Sequence, residues 1–187
     1  MTSRSFAKFA EQLQGVADAR EMKRVARYLG DGSGSAAEAA IVTALSLPRR
    51  YGGFGLSDPL LNEEIELNDA ASMLLGRSTM SPDARWGDTA FEYDSLKFHS
   101  LEEQQEYDER RRNAYAAMGM CVVVGKPRHM RTDARFEAIA EAIYKNAGPR
   151  VCRRPLQLES KRSSLLSETL AYWRVDPEEW VDPLEHF

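Results

Sequence analysis

The chain has few residues of the kinds that build metal, redox or hydrolytic sites. It contains two cysteines and three histidines in 187 residues. His99, His129 and His186 are too far apart for an HxxxH or HExxH zinc motif. Cys121 and Cys152 form neither a CxxC pair nor a disulfide framework, so they fit a reducing compartment. No GxSxG elbow is present. We therefore expect no metal, no cofactor, no catalytic residue and no enzymatic activity.

Long apolar runs are also missing. No stretch approaches the roughly 20 residues that a membrane-spanning helix needs. The first residues place Glu11 where a signal peptide would have its apolar core. These absences predict a cytoplasmic protein with no membrane partner. The hydrophobic fraction of 43% and the charged fraction of 29% are those of an ordinary globular protein, so we expect a folded chain with a hydrophobic core.

Helical periodicity accounts for most of the chain. Apolar residues recur at helical spacing in six segments, and Ser35, Asp58, Ser100 and Thr132 are N-cap candidates for four of them. The predicted helices cover about residues 6–29, 36–47, 59–75, 101–118, 133–147 and 163–174. One strand is predicted at 120–124, because this segment is short, β-branched and bounded by glycines, and its unbroken apolarity indicates burial on both faces. The sequence thus predicts a predominantly α-helical α+β fold with one small sheet.

The segments between the helices carry turn signals. The glycines of residues 30–34 lack both the lysine of a Walker loop and the preceding strand of a dinucleotide motif, so they indicate a linker. The other connections are predicted as a glycine-rich loop with exposed or half-buried aromatics at 49–57, irregular structure or a short helix at 82–98, a basic loop at 125–131, and one or two short strands at 151–159. We expect residues 1–175 to form one globular domain and residues 176–187 to form a tail or strap.

Charge is the most informative feature that the chain does have, because it is sorted into blocks. Residues 1–57 carry a net charge of +3, residues 58–109 of −11, residues 110–162 of +9 and residues 163–187 of −5. The near-neutral total of −4 conceals this asymmetry. Such blocks affect what a surface attracts rather than which fold forms. Either the acidic and basic blocks pair inside the fold, or each block binds a partner of opposite charge.

The basic block supplies the first set of candidate binding residues. Segment 120–135 is predicted as a buried strand, a basic loop and a helix N-terminus, where free N–H groups and the helix dipole favour an anion. The candidate basic face comprises Arg110, Arg111, Arg112, Lys126, Arg128, Arg131, Thr132, Arg153 and Arg154. Two simpler interpretations remain open. The cations can be solvated or paired with the acidic block, and Thr132 can act as an N-cap without any ligand.

Two further sets of residues are candidates for partner contacts. The acidic face comprises Glu63, Glu64, Glu66, Glu102, Glu103 and Glu106, placed on two predicted helical surfaces. Acidic first turns also stabilise helices through the dipole, which accounts for Glu102 and Glu103 without a partner. In the tail, Trp180 and Phe187 are candidate anchors, because large aromatics are frequent at protein interfaces. The same tail can instead fold back over its own core.

No motif in the chain is specific enough to indicate a protein family. The charge pattern favours a non-enzymatic interaction protein, acting as an adaptor, inhibitor or structural subunit of a larger assembly that can contain nucleic acid. One alternative is direct nucleic-acid binding by residues 110–162, which supply enough cations for several phosphate contacts. Another is a small enzyme with an anion site at 126–132. Homo-oligomerisation is compatible with all three hypotheses.

Overall fold

In the computed structural model of the chain, the described residues are 31–94, 101–147 and 159–174. These residues form a predominantly helical α+β fold, as the sequence predicts. The helices are α1 Ala36–Ser46, α2 Asp69–Leu75, α3 Leu101–Ala117, α4 Pro127–Met130, α5 Asp133–Asn146 and α6 Glu159–Thr169. The strands are β1 Leu60–Leu61, β2 Ile65–Glu66, β3 Thr79–Met80, β4 Ala84–Trp86, β5 Thr89–Tyr93 and β6 Cys121–Gly125. Short 3-10 helices cover Arg49–Tyr51 and Ala171–Trp173.

A mixed four-stranded sheet with the order β1-β4-β5-β6 lies at the centre of the fold. Strands β4 and β5 form an antiparallel pair closed by a tight turn, and β1 pairs antiparallel with β4. Strand β6 is parallel to β5, with Phe91 opposite Val123. Parallel neighbours need a crossover connection, and helix α3 provides it. Strands β2 and β3 form a separate two-stranded ribbon.

Helices cover both faces of this sheet, because alternate side chains point to opposite sides of a strand. Phe91 and Val123 contribute to a large core with α1, α4, α5 and α6. Ala90 and Val122 lie on the other face, in a smaller core with α2 and α3. The strand predicted at 120–124 is therefore covered on both faces, as expected, but only partly on one of them: Val123 is buried and its two valine neighbours are half-buried.

Several helix starts follow the predicted capping signals. The Ser35 hydroxyl accepts a hydrogen bond from the N–H of Glu38 at 3.1 Å, and the Glu38 carboxylate accepts one from the N–H of Gly34 at 2.7 Å. This reciprocal pattern is the capping box expected before α1. At α5, the Thr132 hydroxyl accepts from the N–H of Arg135 at 3.4 Å. The N-cap role predicted for Thr132 is thus confirmed.

The helix predicted from Asp58 to Leu75 is wrong over its first half. Asp58 and Asn62 have positive φ angles of 55° and 48°, and the residues between them pair with β4 as strand β1. The helix begins only after Asn68, whose side chain accepts from the N–H of Ala71 at 2.8 Å. Strand pairing therefore overrides the Asp-Pro start signal, and Glu63, Glu64 and Glu66 do not lie on a helix.

Other local predictions also need correction. The segment predicted as irregular at 82–98 contains β4 and β5, and the predicted basic loop contains the one-turn helix α4. Phe54, expected to be exposed or half-buried, is buried against Phe136. The last helix begins at Glu159 and gives way to a 3-10 helix at Ala171. The short strands expected at 151–159 do not include Glu159, which begins α6. Residues 151–158, the first predicted helix and the tail lie outside the described residues.

None of the helices in the described residues combines the length and the apolarity that crossing a membrane requires. The longest, α3, carries charged residues along most of its length.

The glycine-rich loop 52–56 satisfies the carbonyl groups at the end of α1. The N–H groups of Phe54, Gly55 and Leu56 donate to the carbonyl oxygens of Ala44, Leu47 and Leu45, respectively, at 2.9–3.2 Å. These carbonyls have no partner within the helix, so the loop replaces water at a buried helix end. The close approach depends on Gly53, where a Cβ would lie only 2.1 Å from the Leu47 oxygen.

We expect Gly53→Ala to destabilise the fold by about 3 kcal/mol or more, since the loop must move away from α1 to relieve the clash. Gly76→Ala is the matched control. Gly76 has a φ of 75°, but its Cβ would meet no neighbouring residue within 4 Å. The Gly76→Ala substitution should therefore lower the free energy of unfolding by about 1 kcal/mol, through backbone strain alone. Urea unfolding followed by circular dichroism measures both. Equal effects of the two substitutions would show that the loop does not approach Leu47 closely.

Candidate interaction surface

A group of cations lies where β6 leads through α4 into α5. We call Lys126, Arg128, Arg131 and Arg135 the basic junction. Lys126 is the residue before α4, Arg128 lies within it, and Arg131 follows it directly. Arg135 lies in the first turn of α5. Because β6, α4 and α5 all pack on the large core, these side chains project from well-anchored backbone.

The four cations of the basic junction differ in their partners. Lys126 forms an ion pair with Asp94 at 2.9 Å. Arg128, Arg131 and Arg135 are exposed, and none of them forms an ion pair with a carboxylate in the described part of the chain. Arg135 donates to the main-chain carbonyl oxygen of Arg128 at 3.3 Å, which places the Arg135 guanidinium group beside α4. Three neighbouring guanidinium groups are thus left available to an external anion.

The pKa of His129 is affected by the positive charge of this surface. Partial burial lowers its pKa, and the nearby cations Arg128, Arg135 and Lys126 lower it further. The Nδ1 atom accepts a hydrogen bond from the N–H of Lys126 at 3.1 Å, which suits the neutral ring. The N-terminus of α5 adds the positive end of a helix dipole to the same place. The nearby Asp133 carboxylate is already paired with Arg174 at 2.7 Å.

The three consecutive arginines 110–112 do not share one face. Arg110 and Arg112 are exposed, but Arg111 is half-buried and points toward the sheet. The exposed side of α3 also carries Glu106 and Glu109, four residues before Arg110 and three before Arg112. Such spacing brings opposite charges together on a helix. The exposed surface of α3 therefore has mixed charge, and it does not extend the basic junction.

Arg111 belongs to a polar cluster beneath α3. Its Nη2 atom donates to the Glu92 carboxylate at 2.5 Å and to the carbonyl oxygen of Ser81 at 2.6 Å. The Tyr115 hydroxyl donates to the same carboxylate oxygen of Glu92. Glu92 lies on β5 two residues after Ala90, so strand alternation places it on the face that α3 covers. The cluster therefore ties the crossover helix to the centre of the sheet.

Burial perturbs the ionisation of this cluster. Desolvation raises the pKa of Glu92 from 4.5 to about 7, against the opposing effects of Arg111 and Tyr115. Desolvation also raises the pKa of Asp83, whose Oδ2 accepts from the N–H of Tyr93 at 2.6 Å. The pKa of Tyr115 is raised by burial and by the neighbouring Glu92 charge. The folded chain therefore holds the Glu92 proton more tightly than the unfolded chain does.

The residues of the predicted acidic face are spread over the molecule. Glu63 pairs with Arg85, whereas Glu64 and Glu66 are exposed. Glu66 lies two residues before Asn68, whose side chain donates to the carbonyl oxygen of Ala117 at 3.0 Å, at the C-terminal end of α3. Glu106 is eleven residues earlier on that helix, or about 16 Å along its axis. The two halves of the predicted acidic face therefore lie apart.

Among the described residues, two ion pairs join the acidic block to the basic block. They are Arg111 with Glu92 and Lys126 with Asp94. Part of the opposite charge is thus neutralised inside the fold, while the exposed arginines of the basic junction remain. The side chains of Glu102 and Glu103 lie outside the described part of the structure, as do Arg153, Arg154, Trp180 and Phe187.

Sequence reasoning misses two contributors to these sites. Arg135 is not among the candidate residues, although it follows the capping Thr132 by three positions and so falls in the first helical turn. The Glu92–Tyr115 contact joins residues 23 positions apart. Alternation along β5 is the available signal for the orientation of Glu92, but it becomes useful only once the segment is known to be a strand.

Comparison of the chain with protein-family models, curated proteins and solved structures found no match. No group of three or more His, Cys, Asp or Glu side chains suited to a metal ion occurs among the residues described. The function of this chain is therefore inferred from its own geometry and charge.

We expect Glu92→Gln to change how stability depends on pH. Because the folded-state pKa of Glu92 is raised, its ionisation lowers the free energy of unfolding of the wild-type chain as the pH rises from about 4.5 to about 7. The variant cannot ionise at this position. Its stability relative to the wild type should therefore rise by about 1–3 kcal/mol between pH 5 and pH 8.

Urea titrations at several pH values test this, with the exposed Glu109→Gln as the matched control. If the difference between the wild type and Glu92→Gln stays constant with pH, Glu92 does not bind a proton on folding near neutral pH.

Proposed function

We propose that this chain is a non-enzymatic interaction protein that binds an anionic protein surface through Arg128, Arg131 and Arg135. The observation that carries the proposal is the exposed, carboxylate-free position of these three arginines on rigid elements. Arginine suits this role, since its planar guanidinium group forms paired hydrogen bonds with carboxylates. The partner's carboxylates would supply the counter-charges that the rest of the described chain does not.

The charge of the basic junction favours fast and specific association. Complementary charges steer encounter and fix the orientation of partners, and their rim contacts mainly affect the association rate and its salt dependence. Lys126 already forms an ion pair with Asp94 inside the fold, so it helps to hold the basic junction in place and is not assigned a contact with the partner. We therefore assign partner recognition to the three arginines.

Two features favour a protein partner over nucleic acid. Proteins that bind duplexes commonly neutralise several phosphates along one continuous surface, whereas this junction has three exposed cations and the exposed surface of α3 has mixed charge. Single-strand binding also uses exposed aromatic side chains for base stacking. On α5, Phe136 is buried and Tyr144 is half-buried under the Arg49 guanidinium group. The experiment must therefore distinguish binding of a protein partner from direct binding of nucleic acid.

The test is affinity capture from the native host with the wild-type chain and with Arg128→Glu/Arg131→Glu, before and after nuclease treatment. We expect the wild-type chain to retain a protein partner after nuclease treatment and the variant to bind it at least about tenfold more weakly, as reversal of two contact charges implies. Arg110→Glu/Arg112→Glu is the matched control, because it makes the same change of charge on the mixed surface of α3.

Two results would contradict the proposal. Equal losses from the two double variants would mean that net charge, rather than the basic junction, controls binding. Loss of all captured material after nuclease treatment, together with a steep salt dependence, would support direct nucleic-acid binding instead.

A further inference from the structure

Three exposed acidic residues lie on segments that reach the end of the sheet opposite the basic junction. We call Glu66, Asp69 and Asp88 the acidic end. All three are exposed, and none forms an ion pair with a cation in the part of the chain that the structure describes. The carbonyl oxygen of Asp88 accepts from the N–H of Cys121 at 2.9 Å, which places Asp88 beside the start of β6. The acidic end and the basic junction therefore lie at opposite ends of one strand.

Glu66 and Asp69 are held near the start of β6 by Asn68, which lies between them in the sequence. Asn68 donates to the carbonyl oxygen of Ala117 at 3.0 Å, and its N–H contacts the Met118 sulfur at 3.3 Å. Ala117 and Met118 lead directly into β6. The basic junction begins just after the other end of that strand, about 13 Å away along its five residues. The separation is large enough for each patch to face a different neighbour.

Helix dipoles add to the positive charge at one end of β6 and to the negative charge at the other. Helix α5 begins at the basic junction, and the Ala147 carbonyl oxygen after its last turn lies near Gly87, beside Asp88. Its positive end thus faces the basic junction and its negative end faces the acidic end. The C-terminus of α3 also lies at the acidic end. Two cations also reach this end: Lys145 lies in the last turn of α5, and Arg85, which pairs with Glu63, donates to the carbonyl oxygen of Gly87 at 3.1 Å.

From this opposed placement we infer that the acidic end of one copy binds the basic junction of a second copy, head to tail. The inference rests on the proposed function and names a second copy of the chain as the partner. Within the described residues the basic junction offers arginines without ion pairs and the acidic end offers carboxylates without ion pairs, and the two lie beside opposite ends of β6. A contact between two different patches is heterologous, so repeated contacts produce rings or filaments rather than a closed two-fold dimer.

The test measures the molar mass of the purified, nuclease-treated full chain by sedimentation and light scattering over a range of concentrations. At about 50 mM salt we expect the average mass to rise with concentration, and at about 0.5 M salt we expect a monomer, because screening weakens contacts between exposed charges. A wild-type chain that is monomeric at the highest concentration and the lowest salt would overturn the inference.

Charge reversals identify the two patches. Arg128→Glu/Arg131→Glu and Glu66→Lys/Asp88→Lys should each weaken self-association at least about tenfold, since reversed charges now repel. Asp69 is left unchanged because a carboxylate in the first turn of α2 stabilises that helix. A mixture of the two variants should associate, and the chain that carries all four substitutions should recover self-association. Circular dichroism and urea unfolding establish that each variant is folded.

Glu106→Lys/Glu109→Lys is the control for the acidic end, because it makes the same change of charge on the mixed surface of α3. It should leave self-association unchanged. If it abolishes association as completely as Glu66→Lys/Asp88→Lys, or if the four-fold variant stays monomeric, the head-to-tail contact is wrong. If the chain is monomeric but still captures a protein through Arg128 and Arg131, the inference fails and the proposed function stands.

Discussion

The parallel pairing of β5 with β6 is the contact on which the two helical layers depend. It aligns Phe91 with Val123 on the face of the large core and Ala90 with Val122 on the opposite face. The next residue of β5, Glu92, reaches Arg111 and Tyr115 on α3. One strand pair therefore fixes the apolar packing of α1, α5 and α6 and also the polar attachment of α3.

The same pairing determines where charge is exposed. Arg111 points inward to the half-buried carboxylate of Glu92, and Lys126 is paired with Asp94 next to the end of β6. Arg128, Arg131 and Arg135 follow that strand end and find no such partner in the described residues. The described charges of the two blocks thus fall into two groups. One group forms internal ion pairs that attach α3 and Asp94 to the fold, and the other is exposed at the two ends of the sheet.

Features that depend on local signals could be predicted from the sequence. The capping box at Ser35, the N-cap at Thr132 and the β-branched run in β6 are all encoded within a few residues, and all three are confirmed. Strands β1 and β4 are only two and three residues long and contain no β-branched residue, and the Ala-Arg-Trp alternation of β4 is too short to indicate a strand by itself. They exist because each pairs with a neighbour distant in sequence, so an interpretation of single segments assigns their residues to helix or to irregular structure.

In the candidate site, too, some features follow from local sequence and others depend on contacts between distant residues. The basic character of residues 126–131 is visible in the sequence, and so is the helix start that follows. Whether a given cation is exposed or paired depends on distant carboxylates, as the contacts of Arg111 with Glu92 and of Lys126 with Asp94 show. Three adjacent arginines on one helix necessarily point in different directions, because successive residues are separated by about 100° around the axis.

The connection between β5 and β6 also has a consequence for the order in which the chain acquires its structure. Thr89 and Cys121, which lie opposite each other in the sheet, are 32 residues apart, and the chain between them includes α3. Pairing of this kind closes a long loop before it gains contacts, so it is intrinsically slow. The hairpin of β4 and β5 can form early from local contacts. We expect the docking of α3 and the addition of β6 to complete the sheet together, as the late step of folding.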